Sequence, residues 1–149
     1  MIRVPAATAL LTLALAGAAW ADLAKIRAET RPVQRARMAM DNANDQVDRA
    51  SKTYKASGFA AARAALDEVL ESVELAKQSL DETGRNPRNS GDHKNFELKT
   101  RALLKKLGTL VENMSFQDRE NMKPMLETLS KIHEDTLMAI MEGKKKGTK

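Results

Sequence analysis

The sequence predicts an all-α protein: an antiparallel, up-down-up-down four-helix bundle behind an N-terminal leader that is removed. Three observations carry this expectation. Apolar residues recur every three or four positions in four successive stretches. No stretch shows the period of two that marks a strand. Residues that stop helices fall mainly between the apolar series, with Pro124 as the exception. An alternation of three and four averages about 3.5 residues per turn, the coiled-coil-like spacing of helices packed side by side.

The leader comes first. Met1-Ile2-Arg3-Val4-Pro5 is a short positive start, and Ala6 to Ala16 contains only Ala, Leu and Thr. Gly17 precedes Ala19-Trp20-Ala21, whose small outer residues fit the narrow subsites of signal peptidase. Residues 1–21 are therefore expected to be a signal peptide cut between Ala21 and Asp22. Its apolar run is shorter than the about 20 residues of a permanent span. The mature form is expected to have no transmembrane anchor and to be exported, periplasmic or secreted, with the very short positive start pointing to a bacterial periplasm. Residues 22–30 read as a short N-terminal segment.

The first bundle helix is predicted over about 31–56, with Val33, Ala36, Met40, Ala43, Val47, Ala50 and Tyr54 on its apolar stripe. Pro32 suits a first helical turn, and Thr30 is the expected N-cap. Ser57-Gly58 ends this helix and starts the second, about 59–83, with Phe59, Ala62, Leu66, Val69, Val73, Ala76 and Leu80 in the same rhythm. Residues 84–91, rich in Gly, Asn, Arg and Ser around Pro87, form the one real loop. The third helix, about 92–113, presents Phe96, Thr100, Leu103, Leu107, Leu110 and Met114. Ser115 to Asp118 resembles a capping box and opens the fourth helix, about 116–142. Its stripe is Met122, Met125, Leu129, Ile132, Thr136 and Ala139, and Pro124 predicts a kink, or a break with a restart capped by Asn121. Residues 143–149 read as a basic disordered tail. Two tight connections make the first and second helices, and the third and fourth, antiparallel neighbours. The alanines of the first two should let those backbones approach closely.

Composition narrows the functions. There is no cysteine, which excludes disulfides, a thiol nucleophile and thiolate metal sites. Trp20 lies in the leader, so Tyr54, Phe59, Phe96 and Phe116 are the only rings beyond it. Three of them sit on apolar stripes, which argues against sugar platforms and against nucleic-acid grooves that need exposed rings. No Gly-x-Ser-x-Gly, no Gly-rich phosphate loop and no Glu-x-x-His occurs, so neither hydrolase nor di-iron chemistry is supported. The expected protein is not an enzyme.

Two candidate sites remain. The methionines pair as Met38 and Met40, Met122 and Met125, and Met138 and Met141. Thioethers suit Cu(I), although methionine also packs irregular cores well. Met40 and His133 lie at matching depths in the first and last helices. This arrangement resembles that of periplasmic b-type cytochromes built as four-helix bundles, in which such a Met and His ligate haem. The resemblance implies haem, and the thioethers point to Cu(I), so the alternative function is a small copper or haem carrier using His133 and the methionines. His93 is expected to be solvated. The other candidate is charge. Arg85, Arg88, Lys94, Lys105 and Lys106 crowd the loop and third helix, and Lys144, Lys145 and Lys146 open the tail. Residues 66–82 are acidic, so neighbouring helices of opposite sign would attract. The functional reading is that the basic groups touch an anionic surface. The primary expectation is an exported, non-catalytic bundle that binds an envelope component or protein partner, or has a structural role in the cell envelope, without nucleic acid or cofactor.

Overall fold

A computed structural model describes residues 22–143, so the expected cleavage at Ala21 and the tail from Lys144 to Lys149 lie partly or wholly outside the described residues. The described chain is all helical in its regular structure. It forms α1 (Pro32–Ser57), α2 (Phe59–Glu82), α3 (Gly91–Glu112) and α4 (Phe116–Glu142), with a 3-10 turn at Pro87–Asn89. Residues 22–27 are also helical, and Leu23 and Ile26 are buried.

The helix ends follow from local chemistry. Arg31, not Thr30, is the N-cap of α1, and it makes no side-chain cap. Proline at the next position drives the preceding residue into extended geometry, φ −85° and ψ 114° for Arg31. The Glu29 carboxylate takes the Arg31 backbone N–H instead, at 3.0 Å. Gly58 alone joins α1 to α2 at φ 85°, where a side chain would be strained. Its N–H donates to the Tyr54 carbonyl at 2.9 Å and its own carbonyl accepts from Ala62 at 3.2 Å. Ser90 and Ser115 cap α3 and α4, their hydroxyls accepting from the backbones of His93 and Asp118. The break expected near Pro124 does not occur, because α4 is helical throughout. Pro124 is exposed, so the hydrogen bond it omits is lost on the wet side of the helix.

Polar contacts fix the order of the helices. Asn42 meets Glu68 and Ser72, and Arg35 meets Ser79, so α1 and α2 are antiparallel. Arg37 meets Asp92, Asp41 meets Lys99 and Asp48 meets Lys106, so α1 and α3 lie side by side and parallel. α4 returns antiparallel to α3 and runs parallel to α2. α1 and α4 stand at the far corners of a rhombus and do not pack together, whereas α2 and α3 approach across its short diagonal. The α1–α2 pair is by far the closest, because Ala36, Ala39, Ala43 and Ala50 meet Ala62, Ala65 and Ala76, all buried. Larger side chains, among them Leu66, Val73, Leu80, Phe96, Leu103, Leu107 and Leu129, fill the centre.

One electrostatic expectation is corrected. The acidic stretch 66–82 does not face the basic stretch 85–106. Lys99 and Lys106 of α3 pair with Asp41 and Asp48 of α1, while Glu71 and Glu82 of α2 pair with Arg27 and Arg35. Diagonal placement of α2 and α3 is the reason.

Candidate functional site

The methionine and histidine candidates fall in separate places. Met40 is buried on α1 beside Ala36, Leu80 and Phe96, around a cavity of about 10 Å³, room for about one water. His133 is half-buried on α4, with Nε2 2.8 Å from Glu97 Oε1 on α3. The two share a level, since Met40 neighbours Phe96 and His133 meets Glu97, but their helices do not pack together. Met38 packs against the edge of the core. Met122 is buried and Met125 half-buried, both on a groove between α2 and α4. Met138 and Met141 are exposed, at 50 % and 65 %. Among the described residues, no three His, Asp or Glu side chains converge in a way that would hold a metal ion.

Glu97 is a functional-looking residue that sequence reasoning passed over. It is 5 % exposed, yet it carries hydrogen bonds from both His133 and Arg101, whose Nε lies at 3.0 Å. Burial alone would push its carboxyl up, but the hydrogen bonds and charges of Arg101 and His133 outweigh this and hold it below its ordinary value. The spacing Glu97 to Arg101 is a helical i,i+4 pair, the one signal in the sequence that marks it. This trio ties α3 to α4.

His93, expected in solvent, is buried at 4 % exposure. Its Nδ1 lies 2.7 Å from the Ser90 hydroxyl, in the first turn of α3. Burial lowers its pKa below the ordinary value, opposed by Asp81 and Asp92 and assisted by Lys77 and Arg85. The unfolded imidazole takes up a proton near pH 6.5, the folded one only at lower pH. Acid therefore favours the unfolded chain within that window. We expect the urea midpoint to fall between pH 7 and 5.5, and His93→Gln to flatten the decline. An equally steep decline in the variant would refute this.

The far end of the bundle has its own clamp. The Tyr54 hydroxyl of α1 donates to Asp118 at 2.9 Å and accepts from the Ser115 backbone at 3.2 Å. Arg119 adds bonds to the carbonyls of Met114 and Glu112. Together they fasten the α3–α4 turn.

The basic candidates divide. Arg85 bonds Asp92 at 3.1 Å, and Lys106 bonds Asn44 and Asp48. Arg88, Lys94 and Lys105 are exposed. Gly143 closes α4 at φ 77°, lying against the loop after α2: a Cβ built on it would sit 3.5 Å from Arg88 Cβ. Lys144, Lys145 and Lys146 lie outside the described residues, but the chain enters them from this point.

No helix among the described residues is long and apolar enough to cross a membrane. Comparison with protein families, curated proteins and solved structures finds no match.

Proposed function

We propose that this chain is an exported, non-catalytic helical bundle that holds to the anionic surface of the cell envelope through one basic end. The observation that carries this reading is the seat of Gly143 against Arg88. It sets the last described residue, from which the chain continues into Lys144-Lys145-Lys146, against the loop that bears Arg85 and Arg88. Of the acids flanking that loop, Asp92 is engaged by Arg37 and Arg85, and Glu82 by Arg35. A leader ending at Ala21 would deliver the protein to the compartment where such a surface lies. The bundle would then be peripheral, held by charge rather than inserted.

Each Lys or Arg near an anionic leaflet contributes about 1 kcal/mol. Replacing Lys144, Lys145 and Lys146 by alanine should therefore weaken retention on phosphatidylglycerol vesicles about a hundredfold. Raising the salt should weaken the parent protein too, because exposed charges are screened beyond about 8 Å at physiological ionic strength. Cosedimentation with anionic and with neutral vesicles measures both effects. Equal retention on the two vesicle types would refute the proposal.

A further inference from the structure

The charges of the four helices are sorted by layer. α2 carries six Asp and Glu against two Lys and Arg, and α4 carries six against three. α1 and α3 each carry three acids against five bases. Because α2 lies beside α4 and α1 beside α3, the bundle has one acidic face and one basic face. This sorting is visible only once the helix order is known.

The acidic face is also the loosely packed one. α4 buries only Met122, Leu129 and Thr136 of its 27 residues, and its approach to α2 is far less close than that of α1. A groove follows the α2–α4 seam. Its upper part, about 220 Å³, has an apolar floor of Phe59, Leu66, Leu70, Met122, Pro124 and Met125. Its lower part, about 620 Å³, is edged by Glu74, Asp81, Glu82 and Asp135 against Lys77 and Lys131. Thr128 borders both parts, so they run into one another. The seam spans 24 residues of α2, a length of about 36 Å at 1.5 Å per residue.

We propose that this groove docks a basic amphipathic helix of a partner protein. The partner's apolar face would cover the half-buried Phe59, Leu70 and Met125, and its basic residues would meet Glu74 and compete with Lys77, Arg35 and Lys131 for Asp81, Glu82 and Asp135. An acidic or neutral helix would fit the same floor but meet a repelling or unrewarded rim. Methionine suits such a floor, because its flexible thioether repacks around side chains of different shape. This accounts for the Met122-x-x-Met125 pair without a metal. The groove's lower edge reaches Glu82, next to the loop that bears Arg85 and Arg88, but docking in the groove does not rest on that basic end.

The test uses the full chain and two labelled peptides of about 18 residues, one Leu/Lys and one Leu/Glu, with the same amphipathic pattern. Fluorescence anisotropy should show the Leu/Lys peptide binding at least about tenfold more tightly. Glu74→Lys with Asp135→Lys should reduce that binding about tenfold, since both side chains are exposed and the bundle should stay folded by circular dichroism. Asp45→Lys, on α1, should leave it unchanged. Equal binding of the two peptides, or indifference to the paired reversal, would overturn the proposal. So would peptide binding that appears only after residues 144–149 are removed, which would make the chain's own tail the occupant. A dimer that the paired reversal dissociates would assign the groove to a second copy and overturn it likewise.

Discussion

Leu107→Ala is expected to destabilise the protein by about 2–5 kcal/mol, whereas Lys105→Ala, two residues away, should change stability by less than about 0.5 kcal/mol. Leu107 has no exposed surface and sits with Leu103, Leu110 and Met114 in the central cluster. Truncation there removes the burial of three carbons and leaves a cavity. Neighbours held by four packed helices have little room to relax into it, which favours the upper part of the range. Lys105 is exposed, so its truncation disturbs little. Urea unfolding of the three proteins measures the contrast. Similar losses for both variants would mean that the face of α3 turned to the core is misassigned.

That contrast rests on a part of the fold that was legible in the sequence. A stripe recurring every three or four residues marks the buried face wherever a helix is packed on several sides, as α1, α2 and α3 are. In α4 the same rhythm overstates burial. Met125, Ile132 and Ala139 are half-buried, because α4 packs on α3 and on the 3-10 turn but only loosely on α2. The opposite error affects the α1–α2 pair. Asn42, Gln46, Glu68, Ser72 and Ser79 are polar and lie off the apolar stripe, yet all are buried. Alanines bring the two backbones so close that the residues flanking the stripe are covered as well.

Neighbour order is the information that sequence could not supply. Short connections decide which helices are antiparallel neighbours, but not whether α1 or α2 lies beside α4. Matching depths suggested a Met40–His133 layer, and a diagonal relation separates them instead. Charge misled for the same reason. The acidic stretch of α2 and the basic stretch of α3 are adjacent in the chain and diagonal in the bundle. His93 differed because its environment is set by a single cap: Ser90 turns the chain so that the imidazole is buried at the first turn of α3.

The Glu97 trio gives the second large effect. Arg101→Ala combined with His133→Ala should cost about 3–5 kcal/mol at neutral pH, because a buried carboxylate loses both partners at once. Either change alone should cost less, since one donor remains. Adding Glu97→Met to the pair should recover much of the loss, because an apolar side chain at this site has no charge to bury. The pH dependence separates this account from simple loss of packing. In the parent protein the folded pKa of Glu97 lies below its unfolded value, so its stabilisation is present above the unfolded pKa and fades as pH falls through the folded one. Without Arg101 and His133 only burial remains, and burial raises the folded pKa above the unfolded value. The double variant then loses stability as pH rises through that raised value and regains it in acid. The gap between parent and double variant should be widest near pH 7 and should narrow towards pH 4. A gap that stays constant across this range would show that the two side chains act through packing alone, and that Glu97 carries no buried charge needing them.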